Sequence, residues 1–273
     1  MPSELFRDAR LKVKRANQHI NELQRVLADF RETDFYRVVV EDDLQTGRSM
    51  VVGDMAKAMP ECVPAIIGDA AHNLHATLDL VAHEVVALNG GSDKQVEAAK
   101  FPFREKRKEL VTAFPQGPIN IAGADIRDLI LDEIRPHKDE GGNLPLYALH
   151  DLDILDKHQA LVPVLAVTAL MDFHAEDQYQ NGVEGPITNV MVVGRWVLFD
   201  SHDKIEIKSH GKPTIDIFFG KGQPFEYEPV IPTLLRLSQY LTTVVNQFEQ
   251  TLLARTQGTG HTPPTSGSHP PST

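Results

Sequence analysis

The chain has 273 residues, 41% of them hydrophobic and 24% charged, which suits a soluble globular protein able to bury a sizeable core. Its formal net charge of −11 argues against a generally basic surface, so nucleic acid is not an expected partner. The single cysteine, Cys62, excludes an intramolecular disulfide framework and a cysteine zinc cluster. With no apolar run long enough to span a membrane and no secretory h-region at the start, the expectation is a cytoplasmic protein.

From Ser3 to Arg31 an apolar stripe of Phe6, Ala9, Val13, Ala16, Ile20, Leu23, Leu27 and Phe30 steps by three and four. This heptad spacing predicts a long helix that packs lengthwise on another. Leu234, Leu237, Leu241, Val244 and Phe248 repeat it near the other end. The two stripes could pair within the chain, or they could join a second copy or a protein partner as a coiled coil. DFYRVVVEDD, LQTG and RSMVVGDM follow the first helix and predict a β-hairpin. Pro60 and Pro64 then bracket the start of a helix that should run to Leu88, where Asn89-Gly90-Gly91 stops it.

The segment 92–143 is less regular. FPF and FPQGP read as loops, REKRK at 104–108 as a solvated helix face, and ADIRDLILDEI as a short helix ended by Pro136. Asn143 is a credible N-cap for a helix over LPLYALHDLDILDKHQ. From Leu161 the pattern turns to short β-rich runs, with DSHDK and HGKP as the clearest turns between them. Pro163 places the first run at a sheet edge or starts its strand just afterwards. The expected architecture is one α+β domain over 1–256, with long terminal helices and a central helix pair packed with an antiparallel β-meander. Residues 257–273, rich in Pro, Ser, Thr and Gly, are expected to form a disordered tail.

The most chemical stretch is GDAAHNLHATLDLVAHEVV. Asp69, His72, His75, Asp79 and His83 step along one side of the helix by three, three, four and four. In the later helix, His150, Asp153 and Lys157 form one line, and Asp151 and His158 a second. Imidazoles and carboxylates at these spacings could hold a divalent metal, with His72, His75, Asp79, His83 and His150 as ligands, in a hydrolase. They could equally form a hydrogen-bonded polar seam between two helices. His83-Glu84 does not begin an HExxH motif, because Ala87 occupies the second histidine's place.

These segments carry a resemblance. IGDAAHNLHATLDLVAHEVV resembles the GDALHNLRSALDHLAWEL segment of a family of uncharacterised bacterial proteins. DILDKHQALVPV is similar to that family's NIDKHRLL segment, and FPF to its FPI. The family's Arg and His within RSALDH in turn resemble the active-site pattern of HEPN ribonucleases, all-helical enzymes that cleave RNA without a metal. Here those two positions are His75 and Leu80, whereas His72, Asn73, Asp79, Asp156, Lys157 and His158 match the family. The resemblance therefore implies a folded unit held in common and, at most, a degenerate RNA-directed site built from Asn73, Asp79, Lys157 and His158. The function these observations favour is non-catalytic binding or protein interaction. A metal-dependent hydrolase and a degenerate HEPN-like protein are the alternatives.

Overall fold

The computed structural model describes residues 4–258. The chain forms α1 (Arg7–Arg31), the strands β1 (Tyr36–Asp43) and β2 (Arg48–Met55), and α2 (Val63–Leu88). Three short helices follow, α3 (Asp93–Ala98), α4 (Arg107–Ala113) and α5 (Ala124–Asp128), and then α6 (Leu144–His158). The strands β3 (Val164–Asp177), β4 (Gly182–Val192), β5 (Trp196–Ser201) and β6 (Ile205–Phe218) precede α7 (Val230–Gly258). Long helices and antiparallel sheets make this an α+β fold. Of the expected tail, Gln257 and Gly258 close α7, and the remainder lies outside the described residues.

The chain divides into two compact units. A sheet unit comprises Lys12–His75 and Pro145–Gln239, and a helical unit comprises, of the described residues, those up to Leu11, Ala76–Leu144 and those from Tyr240 on. The division falls inside α1, α2 and α7 and after the first residue of α6. Every residue of the two heptad stripes is buried. Among the described residues, no helix is long and apolar enough to cross a membrane.

In the sheet unit, β1 and β2 form the expected hairpin, from Tyr36 opposite Met55 to Asp43 opposite Arg48. The Asp43 carboxylate accepts from the amides of Gln45 (2.9 Å) and Thr46 (3.3 Å) and so closes the turn. The later strands depart from a simple meander. β5 leaves its neighbours to pair with β2, giving the order β1-β2-β5, while β3 lies between β4 and β6. The two sheets share a core in which Val38 and Val51 meet Leu170, Phe173 and Ile205. β3 begins just after Pro163 and is central to its sheet.

HGKP is not a turn. β6 runs through it, with Gly211 at φ +72° beside Asp172 of β3 at φ +55°. A Cβ at Gly211 would lie 2.8 Å from Leu170 Cδ1, so glycine lets the strands pass closely there. The pairing of β3 with β4 also shifts register, between Val167 and Ala169 and again between Leu170 and Phe173. β4 contains Pro186 and a left-handed Asn189, φ +58°.

In the helical unit, Phe6 packs edge-on against Phe248 with centroids 6.3 Å apart. The Phe6 amide donates to Glu84 Oε1 at 2.6 Å, and Arg10 pairs with Glu249 at 2.7 Å. ADIRDLILDEI is helical as expected, but its second half, Leu129–Ile134, is wound as a π-helix. It ends at the left-handed Arg135, immediately before Pro136.

Candidate functional site

The seam forms in the sheet unit, where the first half of α2 faces α6. α6 buries Leu146, Leu149 and Leu152, and this fixes which side carries Asp153 against α2. Asp153 is 1% exposed and is the hub of the arrangement. Its Oδ1 lies 2.9 Å from His72 Nδ1, and its Oδ2 lies 3.2 Å from His75 Nδ1 and 2.5 Å from Lys157 Nζ. His75 Nε2 is in turn 3.0 Å from His150 Nδ1, with the two rings stacked at 5.2 Å. His72 Nδ1–H donates to Asp153, His75 Nδ1 faces the same carboxylate as an ion-pair partner, and His75 Nε2 and His150 Nδ1 share one proton between them.

Burial would raise the Asp153 carboxyl, but hydrogen bonds from Lys157 and His72 and the nearby charges of His75 and Lys157 outweigh it. The group is held below the usual carboxylate range. One turn on, Asp156 moves the other way. Burial raises it, and so do the charges of Asp153 and Asp69, against smaller opposing effects of His72 and Lys157. Asp156 lies against the backbone of α2 at Gly68, where a Cβ would sit 2.3 Å from its Oδ1. Glycine at 68 is what allows that approach.

Asn73 is buried and bonded on both sides. Its Nδ2 donates to the Asp69 carbonyl at 2.7 Å, and its Oδ1 accepts from Lys12 of α1 at 3.3 Å. His158 is exposed at the end of α6. The exposed part of the seam is thus the outer edge of His72, whose side chain is 48% exposed, together with Lys157, while Lys12 is half-buried.

The five expected metal ligands do not converge. His72 and His75 both turn Nδ1 toward Asp153, and His150 bonds His75. Asp79, in the helical unit, accepts from the Phe101 amide at 3.0 Å and pairs with Lys100 at 3.1 Å. His83, also in that unit, keeps its buried Nε2 without a hydrogen-bond partner. Among the described residues, no three His, Cys, Asp or Glu side chains are grouped to hold a metal ion. The physical reason is that the ring nitrogens of His72, His75 and His150 are turned to Asp153 and to one another, while Asp79 and His83 have other surroundings.

Of the candidates His72, Asn73, His75, Asp79, Asp156, Lys157 and His158, all but Asp79 lie in the sheet unit, and the residue at the centre of the seam is Asp153, which the sequence shows only as one member of a line on α6. The signal was present in its alignment with His150 and Lys157 on one helix face. Lys12 carries no local signal, because it reaches Asn73 from a helix 61 residues away in sequence. Comparison with known proteins adds no relative: no protein-family model, no curated protein and no solved structure matches the chain.

Proposed function

We propose that this protein acts by binding, and that its His/Asp seam is a structural joint between α2 and α6. The observation that carries this reading is the saturation of Asp153. A nearly inaccessible carboxylate hydrogen-bonded to His72 and Lys157 and paired with His75 is committed within the network, and His75 Nε2 meets His150. Kinship with the bacterial family named above fits the same reading, because its quoted motifs have packing tasks here. Gly68 admits Asp156, and Asp79 holds the FPF segment by its Phe101 amide. The heptad stripes are buried in the chain's own core, so a protein partner or a second copy would meet a different surface.

The test compares His75→Ala with His72→Ala. Truncating the buried ring should cost about 2–3 kcal/mol in urea unfolding, because it leaves Asp153 and His150 short of partners. Truncating the half-exposed ring should cost about 1 kcal/mol. Metal analysis of the untagged protein should find no stoichiometric zinc, iron or manganese. A bound metal lost on His72→Ala without unfolding would refute the structural reading.

One observation favours a second reading. His72 is half-exposed with its Nδ1 on Asp153, and the exposed Lys157 stands beside it. On this reading the site is a degenerate HEPN-like one that binds RNA without cleaving it. It requires salt-sensitive RNA binding that is weakened on Lys157→Ala. Absent or salt-insensitive binding would remove it.

A further inference from the structure

The basic run 104–108 borders a cleft in the helical unit. Its larger compartment, about 610 Å³, is lined by Arg104, Lys106, Lys108, Glu109, Thr112 and Gln116, and Ala113 closes one side. A smaller one, about 180 Å³, is lined among others by Phe101, Pro102, Phe114, Pro118 and Ile119. Arg104 and Ala113 line both, so the two are neighbours. The larger compartment carries three cations against one acid in a chain whose net charge is −11. Arg107, by contrast, points elsewhere and is bonded to Asp132 at 2.5 Å. Among the described residues, no acid is paired with Lys106 or Lys108.

The walls are fixed in advance. The Arg104 amide donates to the Pro136 carbonyl at 3.3 Å, and the Lys138 and Asp139 amides both donate to the Glu105 carbonyl at 3.0 Å. The Arg107 amide donates to the Asp139 carboxylate at 3.1 Å. Phe114 and Ile119, which help to form the apolar end, are buried in the core. Two unpaired lysines, with an arginine whose Nη1 is held by the Phe103 carbonyl at 2.6 Å, stand at the mouth of a cleft on an anchored loop and are suited to a doubly charged phosphate more than to a lone carboxylate. The apolar compartment, at about 180 Å³, has room for one ring system.

We infer that this cleft binds a phosphate monoester carried on a flat ring, of the size and chemistry of a nucleoside monophosphate, with Arg104, Lys106 and Lys108 on the phosphate and the ring against Phe101, Phe114 and Ile119. The inference extends the binding reading above. Its failure would leave that reading standing, because the seam is tested by unfolding and metal content.

The experiment is calorimetric titration of the full chain with adenosine monophosphate in low salt, with inorganic phosphate, adenosine and a short single-stranded RNA as further arms. Saturable binding below about 1 mM is expected, with adenosine and phosphate each at least about tenfold weaker. The double variant Lys106→Ala, Lys108→Ala should weaken binding by about tenfold or more at an unchanged unfolding midpoint. Ala113→Leu, which crowds both compartments, should abolish the preference for the nucleotide over phosphate. No binding, binding indifferent to the two lysines, or binding of the RNA alone would overturn the assignment.

Discussion

The seam and the cleft use polar residues in opposite ways. At the seam, His72, His75 and Lys157 gather on one buried carboxylate, and little of the chemistry reaches water. At the cleft, cations project into space beside an apolar compartment, while the backbone behind them carries the hydrogen bonds. Charge density alone does not separate a site from a scaffold. What separates them is whether the partners are already in place.

The contrast can be broken most severely at Asp153. Asp153→Ala strands three partners around an emptied position and should cost about 3 kcal/mol in urea unfolding, somewhat less than for a fully buried pair because Lys157 and His72 can turn to water. A cost under about 1 kcal/mol would mean that the network does not hold the helices together. Next in size is Gly68→Ala, whose new methyl would overlap the Asp156 carboxylate. A loss of about 1–2 kcal/mol is expected, despite alanine's better helix propensity. In an Asp156→Ala background the loss should vanish, and a double-mutant cycle measures this directly.

The two aspartates also predict opposite pH slopes. Asp153 is lowered in the folded state, so its stabilisation is complete above the ordinary carboxylate value and is lost as pH falls through the lowered one. Asp156 is raised, so ionising it in the folded state is a penalty at neutral pH, relieved as pH falls through the raised value. Asp156→Asn should therefore stabilise the protein at pH 7 by about half a kcal/mol or less, given its partial exposure, with the gain fading in acid. The smallest effect belongs to the cleft. Lys106→Ala with Lys108→Ala should change unfolding free energy by no more than about 0.5 kcal/mol, because the lysines hold nothing in the empty protein.

What the sequence made legible follows the range of the interactions. The hairpin, the helix stop at Asn89-Gly90 and the turn in DSHDK depend on neighbours, and all three stand where local signals put them. HGKP misleads because glycine and proline ordinarily punctuate strands, whereas here a left-handed Asp172 on the next strand absorbs the irregularity. The pairing of β5 with β2 joins segments about 150 residues apart and leaves no mark on either. At the seam, spacing put the histidines on one face but could not supply the carboxylate from α6. The cleft was least legible. REKRK reads as a solvated helix face, and only the fold brings FPF and FPQGP around to enclose it.

The irregularities of the β4-β3-β6 sheet have a consequence for the protein in crowded solution. Its two outer strands are β4 and β6, and each carries a proline, Pro186 in one and Pro213 in the other. Each also has a residue with positive φ a few positions away, Asn189 and Gly211. Prolines and irregular backbone on border strands are features that discourage pairing with a foreign strand.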